Sequence, residues 1–291
     1  MNTDLYPRIT IVTPNLNGDK YIEKTICSVL SQQYPNLEYI VIDGGSNDKS
    51  MDIICKFERY ITFFVSEPDR GHAHALNKGF SRATGEVMGW INSDDLLLDR
   101  SLWTIADVFT KFSDVDWITS ARPSVCDESG CITVLNYEGF SKRFFKRGGY
   151  SGQAYSTTWI QQESTFWRRS LWNRAGGQLD EALSLAVDFE LWNRFFHFTK
   201  PASVVVPLGC FRVHVGQRST AQYDRYCAEA LSCIDGNSSK ILLRLARLWC
   251  AAKLHKLVAW RRIMSLLYGD RILKLSKTND GRWHRDLTWT A

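Results

Sequence analysis

The chain has 291 residues, of which 44% are hydrophobic and 23% charged. This composition excludes disorder and collagen-like repeats and suits one large globular domain, or one domain with an appendage. A formal net charge of +5 is too small to require a nucleic-acid partner. No uncharged apolar segment reaches the roughly 18 to 20 residues of a membrane-spanning helix, so we expect a protein that does not cross a bilayer by itself.

The cysteine pattern favours reduced thiols and a cytoplasmic location. Eight cysteines are scattered without a Cys-x-x-Cys pair, and the N-terminal MNTDLYPR leads into a predicted strand without a signal peptide. Cys126 and Cys131 flank a predicted hairpin turn at 127–130, so a cross-strand disulfide between them is the alternative.

Strands alternate with helices through the first third of the chain. The β-branched run at 9–13 predicts a strand, and the apolar spacing of Ile22, Ile26, Val29 and Leu30 predicts the helix that follows. The later predicted elements are a strand at 39–42, a helix containing 53–57, a strand at 61–65, a helix at 73–83 and a strand at 87–91. Such alternation predicts an α/β fold, with a mostly parallel sheet covered by helices on both faces.

A polar loop follows each of the four predicted strands. The loops are Thr13-Pro14-Asn15, Asp43-Gly44-Gly45, Glu67-Pro68-Asp69-Arg70-Gly71 and Asn92-Ser93-Asp94-Asp95. Turn preferences alone explain any one of them. Because ligands of such sheets bind beyond the carboxyl ends of the strands, four loops at one edge predict a binding site.

The chemistry of these loops predicts a nucleoside diphosphate and a divalent cation. Asp43 offers acceptor oxygens for a base, and Gly44 lets a ligand approach the backbone. Asp94 and Asp95 supply hard oxygen ligands for Mg²⁺ or Mn²⁺ that bridges a diphosphate. The chain has neither a Gly-x-Gly-x-x-Gly nor a Gly-Lys-Ser/Thr motif, which argues against dinucleotide and P-loop sites.

Three segments between residues 9 and about 219 carry a specific pattern: ITIVTPNLNGDKYIEKTICSVLSQQYPNLEYIVIDGGSNDKS, SEPDRGHAHALNKGFSRATGEVMGWINSDD and ESTFWRRSLWNRAGGQLDEALSLAVDFELW. With them the chain shows a resemblance to glycosyltransferase family 2 with the GT-A fold. It implies a metal-dependent, inverting transfer of a sugar from a nucleotide sugar, with a UDP-sugar favoured, to a hydroxyl of a glycan or lipid-linked acceptor. The implied setting is bacterial surface polysaccharide or lipopolysaccharide biosynthesis, with Mn²⁺ or Mg²⁺ as cofactor.

The resemblance also assigns roles by position. It implies donor-binding residues Thr13, Pro14, Asn15, Asn17, Asp43, Gly44, Asp69, Arg70, Asn77, Lys78, Asn92 and Ser93. It implies metal ligands Asp94, Asp95 and His214, and acceptor-binding residues Gln162, Glu163 and Trp167. For Trp167 a core position is the alternative, and for Lys78 a solvated surface position.

Two positions depart from the commoner family pattern. Asn92 stands where the metal motif usually starts with aspartate, and His74 stands where the family often has aspartate. Neither change touches Asp94.

Asp188 is the candidate catalytic residue. Leu191 and Phe195 at i, i+4 predict a helix whose first turn holds Asp188, and a helix N-terminus stabilises a carboxylate by about 0.3 to 1 kcal/mol. On the residues alone, a helix-capping role is the alternative. The resemblance implies that Asp188 is the general base, with Val187 where the family often has glutamate.

The composition changes beyond residue 222. We therefore expect a GT-A domain at 1–222, with a nucleotide-sugar half at about 1–99 and an acceptor half at about 100–222, and a helical basic tail at 223–291. Residues 236–269 contain no acidic residue, and their cations interleave with Leu and Trp. This pattern is typical of a helix on an anionic membrane, which predicts peripheral attachment to the inner face of the cell membrane. Packing against the domain, or an oligomer contact, is the alternative.

Two other classes of protein use similar features. A nucleotidyltransferase on a similar sheet also binds a metal and a nucleotide, but it needs a glycine-rich basic loop after the first strand, where this chain has TPNLN. A non-catalytic scaffold would keep the fold and bind membranes through the tail. The presence of both Asp94 and Asp188 argues against it.

Overall fold

The structure is a computed structural model that describes residues 6–134, 139–148, 150–151, 159–234 and 270–289. Its first third alternates strands and helices in the predicted order. The elements are β1 (Ile9–Asn15), α1 (Ile22–Leu30), β2 (Leu37–Asp43), α2 (Ser50–Lys56), β3 (Phe63–Ser66), α3 (His72–Arg82) and β4 (Val87–Trp90). The predicted elements are confirmed, and their ends differ by about one or two residues.

The rest of the described chain contributes shorter strands and more helices. They are β5 (Leu96–Leu97), α4 (Ser101–Lys111), β6 (Trp117–Ser120), β7 (Ser124–Cys126), β8 (Ile132–Val134), α5 (Lys142–Phe145), β9 (Thr165–Arg168), α6 (Arg169–Arg174), α7 (Val187–Phe198), β10 (Ala202–Val204), β11 (Gly209–Arg212), α8 (Arg218–Ala221), α9 (Tyr223–Ser232), β12 (Arg271–Lys277) and β13 (Trp283–Trp289). The predicted hairpin is β7–β8, in which Cys126 is buried, Cys131 is exposed and both are free thiols.

The main sheet has nine strands in the order β13-β12-β10-β6-β9-β4-β1-β2-β3. The strands β4, β1, β2 and β3 run parallel, so their carboxyl ends meet at one edge. Strand β9 is antiparallel to both of its neighbours, β4 and β6. A second sheet, in the order β5-β11-β7-β8, lies beyond β4 in the chain and brings β11 beside β5.

A hydrophobic core lies on each face of the main sheet. Alternate residues of β1 serve the two cores, with Val12 in the one that contains α3 and α7 and Ile11 in the one that contains α1 and α4. Burial on both faces explains why these strands are apolar throughout. Helix α3 packs closely on β1, because a Cβ added to Gly79 would lie 2.5 Å from a methyl carbon of Val12.

The predicted domain boundary at residue 222 is not where packing ends. Ala230 of helix α9, and Ile234 just after the end of this helix, lie in the core that contains α3 and α7. Strand β12 pairs in parallel with β10 and buries Ile272 and Leu275, so the hairpin β12–β13 completes one edge of the sheet. Both ends of the predicted tail are therefore part of the domain. The basic helical segment predicted at 236–269 lies outside the described residues.

Candidate active site

The carboxyl ends of the parallel strands open into a cleft with a volume of about 960 Å³. The cleft brings together twelve of the residues that were predicted from the sequence. They are Pro14, Asn15, Asn17, Asp69, Asn92, Ser93, Asp94, Asp95, Gln162, Glu163, Asp188 and His214. Residues from β1, the β4 loop, α7 and the segment after β11 thus face one cavity, as the meeting of parallel strand ends requires.

Asp43 does not face this cleft. Its carboxylate is buried and accepts hydrogen bonds from Asn15 Nδ2 at 2.7 Å, Ser66 Oγ at 2.6 Å and the backbone N–H of Ser46 at 2.9 Å. Burial disfavours the charge, but the hydrogen bonds from Ser46, Ser66 and Asn15 outweigh it and lower the pKa of Asp43. The prediction that its oxygens are free to bind a base is wrong, because neighbouring donors already occupy them. Asp43 instead orders the loop that presents Asn15.

Two other predicted donor-site residues near Asp43 also serve the protein itself. Thr13 is buried, and its Oγ1 lies 3.1 Å from the Tyr39 hydroxyl. A Cβ on Gly44 would lie 2.4 Å from Asp69 Oδ2, so this glycine makes room for Asp69 and not for a ligand.

Arg70, Asn77 and Lys78 lie outside the cleft lining. Arg70 pairs with Glu181 at 2.5 Å, and Lys78 pairs with Glu67 at 2.9 Å. Asn77 brackets Leu179 by accepting from its N–H and donating to its carbonyl. These side chains hold the loops around α3 in place and lie outside the cleft lining, so the structure does not bring them together with the other predicted donor-binding residues.

Asn92 connects the β4 loop to two neighbouring segments. Its amide nitrogen donates to Asp95 Oδ2 and to Gln162 Oε1, both at 3.1 Å, and its oxygen lies 3.0 Å from His72 Nε2. Burial lowers the pKa of His72, which keeps that ring neutral. His72 lines the cleft and was not predicted. Its position at the first residue of α3 was the available signal.

Asp95 is buried, and both of its carboxylate oxygens have partners inside the protein. Its Oδ1 accepts from the backbone N–H of Arg212 at 3.0 Å, and its Oδ2 accepts from Asn92. Burial, with the nearby charges of Asp94 and Glu163, raises its pKa well above the usual range. The prediction that Asp95 binds metal is wrong, because both of its oxygens are used inside the protein.

Asp94 and His214 form the one predicted metal-ligand pair that faces the cleft. Asp94 Oδ2 lies 2.9 Å from His214 Nε2, and Arg212 Nε donates to the Asp94 carbonyl at 2.8 Å. His214 Nδ1 lies 3.0 Å from the Val215 carbonyl oxygen, so Nδ1 carries the proton that it donates to this oxygen. In the neutral ring, Nε2 then has the lone pair that can bind a metal. A separation of 2.9 Å suits two adjacent ligands of an octahedral ion with bonds of about 2.1 Å.

These two donors fit Mn²⁺ or Mg²⁺ when a diphosphate and water supply the remaining ligands. A carboxylate oxygen and an imidazole nitrogen are both ligands that such ions accept in proteins. Among the described residues, no group of three His, Cys, Asp or Glu side chains stands close enough to hold a metal by itself.

Asp188 and Glu163 are two carboxyl groups with different protonation states. Asp188 is the second residue of α7, and its carboxylate accepts a hydrogen bond from the N–H of Phe189 at 2.8 Å. Burial outweighs this hydrogen bond and raises the pKa of Asp188 to about 6. Burial raises the pKa of Glu163 to about 8, and the charge of Asp188 contributes to the rise. At pH 7 the cleft therefore contains one ionised and one neutral carboxyl group, an arrangement that suits acid–base chemistry.

Glu163 is held tightly, yet one of its oxygens has no partner in the described part of the chain. Its side chain is 2% exposed and its Oε1 lacks a hydrogen bond. Strand β11 passes so close that a Cβ on Gly209 would lie 2.1 Å from the Glu163 carbonyl oxygen. A buried polar atom without a partner is costly, so its position beside the cavity points to a hydroxyl of a bound molecule.

Trp167 is in the core and does not reach the cleft. It is fully buried and packs against Trp90, Trp172 and Phe80. The prediction that it stacks on a sugar is therefore wrong, and its core alternative is confirmed. The aromatic side chains that do line the cleft were missed, because they come from distant segments without a motif; they are Tyr21, Trp90, Tyr150, Trp159, Phe211, Tyr223 and Tyr226.

Residues 10–148 match the family model described as glycosyl transferase family 2. An uncharacterized glycosyltransferase of Rickettsia typhi is 27% identical over 189 residues, which is 65% of this chain and 58% of that protein. The "Putative teichuronic acid biosynthesis glycosyltransferase TuaG" of Bacillus subtilis is 36% identical over 96 residues, which is 32% of this chain and 38% of that protein. The chain thus spans less than two thirds of the length of these curated relatives.

Two solved structures share the fold. S. aureus TarS 1–349 in complex with UDP-GlcNAc superposes with a TM-score of 0.59 at 17% identity, covering 89% of this chain and 80% of that one. The mannosyltransferase PcManGT from Pyrobaculum calidifontis, in complex with GDP-Man and Mn²⁺, gives a TM-score of 0.56 at 20% identity over 89% and 79% of the two chains. The chain is thus similar to glycosyltransferase family 2 over residues 10–148, and it shares its α/β fold with these solved structures.

Proposed function

We propose that this protein is an inverting glycosyltransferase that moves a sugar from a nucleoside diphosphate sugar, with UDP favoured, to a hydroxyl of a glycan or lipid-linked acceptor. The observation that carries the proposal is that one cleft holds both the Asp94–His214 pair and the ionisable Asp188. An ion-binding pair and a separate base are the two groups that single-displacement transfer from a diphosphate needs.

Asp188 acts as the general base. With a pKa of about 6 it is mostly ionised at neutral pH, yet it is basic enough to take a proton from an attacking hydroxyl. The base removes that proton as the hydroxyl oxygen attacks the anomeric carbon, and the bond to the diphosphate oxygen breaks on the opposite face. The configuration at the anomeric carbon is therefore inverted.

Asp94 and His214 would hold Mn²⁺ or Mg²⁺ beside the diphosphate. Bound there, such an ion would supply positive charge to offset the negative charge of the departing diphosphate. The loop that carries Asn15 and Asn17 contacts the nucleoside, because it is the part of the β1 edge that faces the cleft.

Glu163 and Gln162 bind sugar hydroxyls on the other side of the cleft. As a neutral acid, Glu163 donates one hydrogen bond and accepts another, and a hydroxyl offers the complementary pair. Gln162 is positioned by Asn92 and by the Trp90 carbonyl, to which its amide donates. The aromatic lining supplies flat apolar surfaces on which a sugar ring stacks.

The setting that we propose is bacterial surface polysaccharide biosynthesis at the inner face of the cell membrane. The teichuronic acid biosynthesis assigned in the name of the Bacillus subtilis relative supports the polysaccharide setting, and the basic pattern of 236–269 supports the membrane location. Among the residues that the structure describes, no helix is long and apolar enough to span a bilayer. Flotation with anionic vesicles, with and without residues 236–269, tests the membrane contact.

The deciding experiment is calorimetric titration with UDP, GDP and dTDP, each with and without Mn²⁺. We expect UDP to bind most tightly, to need Mn²⁺ and to lose at least about tenfold in affinity in Asp94→Ala. Asp99→Ala is the matched control, because Asp99 lies in the same segment but is exposed. If no nucleoside diphosphate binds under any of these conditions, the proposed donor site is refuted.

A further inference from the structure

Helix α9 lies beyond the family match and beyond the predicted domain boundary, yet it forms part of the cleft. Tyr226 of α9 lines the cavity, and Cys227 and Ala230 are buried against the domain. Asp188 lines the same cavity. Burial, with the charge of Asp188, raises the pKa of Tyr226. The helix therefore presents a face to the cavity that contains the proposed base.

Glu229 lies on that same face of α9, three residues after Tyr226. Its Oε2 accepts hydrogen bonds from three successive backbone N–H groups, those of Ser184 at 3.1 Å, Leu185 at 2.8 Å and Ala186 at 3.2 Å. Successive amides that converge on one oxygen form an anion-binding concavity in which the anion is a side chain of the same protein. Hydrogen bonds to an ionised acceptor are also stronger than neutral ones.

Arg225 closes the arrangement. Its Nε donates to Glu229 Oε1 at 3.2 Å and one terminal nitrogen donates to Ser184 Oγ at 2.8 Å. Burial works against the charge of Glu229, but the three backbone hydrogen bonds outweigh it and lower the pKa of the carboxyl group. Glu229 is thus ionised, paired and fully engaged with residues 184–186.

The segment that Glu229 binds determines where Asp188 lies. Residues Ser184 and Leu185 line the cleft, and Ala186 is the N-cap residue that directly precedes α7, two positions before Asp188. The carbonyl of Ala186 accepts the first helical hydrogen bond, from the N–H of Glu190. Among the described contacts, Asp188 itself is held only by the start of its own helix. Its position therefore depends on the preceding segment.

We propose that Glu229 is the positioning residue of the base: by binding residues 184–186 it holds the start of α7, and with it Asp188, against the cleft. This inference rests on the proposed role of Asp188. It assigns to α9 a part in the active site that the family match at 10–148 does not cover. A shift of a reacting group by about 1 Å is enough to reduce a rate by about 100-fold.

The test compares Glu229→Gln with Glu190→Gln in the full chain. The glutamine at 229 keeps an acceptor oxygen, so the fold is preserved while the charge is lost. Glu190 is the matched control, because it is also a charge-paired carboxylate, bound to Arg194 at 2.7 Å on α7, but it has no contact with Glu229 in the described structure. Calorimetric UDP binding with Mn²⁺ is measured for both variants to show that the donor site is intact.

The first readout is the pKa of Asp188, measured by ¹³C NMR of labelled aspartate carboxyl groups. The Asp188 signal is assigned by its absence in Asp188→Asn. In Glu229→Gln we expect this pKa to fall from about 6 toward the ordinary aspartate value, because a loosened segment admits water to the carboxyl group. In Glu190→Gln it should stay unchanged. This readout needs no turnover.

The second readout is UDP release from UDP-GlcNAc in the presence of Mn²⁺. In Glu229→Gln we expect kcat to fall about 10- to 100-fold with KM changed less than about twofold. An unchanged Asp188 pKa, or a kcat equal to that of Glu190→Gln, overturns the proposal. Parallel loss of UDP binding and turnover also overturns it, because that result assigns Glu229 to the stability of the whole domain. Full kcat in Asp188→Asn would instead refute the proposed base.

Discussion

At the scale of single residues, the chemistry of the cleft depends on how far burial shifts each carboxyl group. Asp43 and Glu229 are ionised because several hydrogen-bond donors surround them. Glu163 and Asp95 have raised pKa values because burial disfavours their charge more than their hydrogen bonds stabilise it. Asp188 lies between these extremes, with a pKa of about 6. Carboxyl groups thus serve as ionised structural groups, as a neutral group and, in the proposed function, as the base.

The pH dependence of the reaction should report Asp188. The base must be ionised, so we expect kcat to fall about tenfold for each pH unit below about 6 and to level off near pH 7, below the range in which Glu163, with a pKa of about 8, ionises. Steady-state rates of UDP release between pH 4.5 and 8 check this expectation. An acid limb that survives in Asp188→Asn would assign the titration to another group.

The same carboxylate should reduce stability. Its pKa is higher in the folded state than in the unfolded chain, so the free energy of unfolding falls as the pH rises from the usual aspartate range to about 6. Above about pH 6 the contribution of Asp188 to the free energy of unfolding no longer changes with pH. We expect Asp188→Asn to raise the free energy of unfolding at pH 8 by about 1 to 3 kcal/mol while it abolishes turnover. Urea unfolding at pH 8 and pH 4 measures both values; the gain should be absent at pH 4.

Glu163 should tolerate an uncharged isostere better than a truncation. Because its carboxyl group is neutral at pH 7, Glu163→Gln keeps the size and the hydrogen bonding, and kcat/KM should fall less than about tenfold. Glu163→Ala removes the group that binds the hydroxyl and should cost about 100-fold or more. The comparison uses UDP release at pH 7. Equal losses in the two variants would contradict a hydrogen-bonding role.

At the scale of elements, close approach decides how well the first helices pack on the sheet. Helix α3 lies over β1 and β2, and Gly79 is the point of contact. In an exposed helix an alanine would stabilise by about 1 kcal/mol relative to glycine. Here the added Cβ would lie 2.5 Å from Val12, so the clash outweighs the helix propensity.

Gly79→Ala should therefore destabilise the protein by about 1 to 3 kcal/mol. The measurement is the midpoint of urea unfolding, with the exposed Ser81→Ala on the same helix as control. The control should lie within about 0.5 kcal/mol of the unmodified protein. A stabilised Gly79→Ala variant would show that Val12 moves without cost.

At the scale of the whole molecule, the C-terminal hairpin extends the sheet that carries the active site. Strand β12 pairs with β10, and Leu275 lies in the core that also contains residues of β1 and α4. A chain end that was predicted to be separate is thus part of the structure that holds the cleft. The exposed outer strand β13 leaves Leu287 66% accessible.

Leu275→Ala should lower the free energy of unfolding by about 2 to 5 kcal/mol, because it leaves a cavity in the core. Leu287→Ala, on the paired strand but exposed, should change it by less than about 0.5 kcal/mol. Thermal unfolding of both variants makes the comparison. If Leu275→Ala were as stable as Leu287→Ala, the hairpin would not belong to the domain core.

The sequence by itself determined the order of elements up to β4 and the polar loops at the strand ends, including Asp94. These follow from hydrophobic periodicity and from the geometry of parallel strands, both of which are local. The expectation that Asp188 and His214 share the site with Asp94 rested on the resemblance to glycosyltransferase family 2. Tertiary structure alone decided which way each side chain faces. Asp43, Asp95 and Trp167 were expected to meet a ligand, but donors and apolar groups distant in the chain enclose them.

Tertiary structure also decided where the domain ends. Glu229 contacts residues more than forty positions earlier, and Leu275 pairs with a strand about seventy positions earlier. The available signal for β12 was the apolar pattern of Ile272, Leu273 and Leu275. It was overlooked because the segment before it was interpreted as one basic tail. Composition reports the average character of a segment, whereas burial depends on which distant residues pack against each side chain.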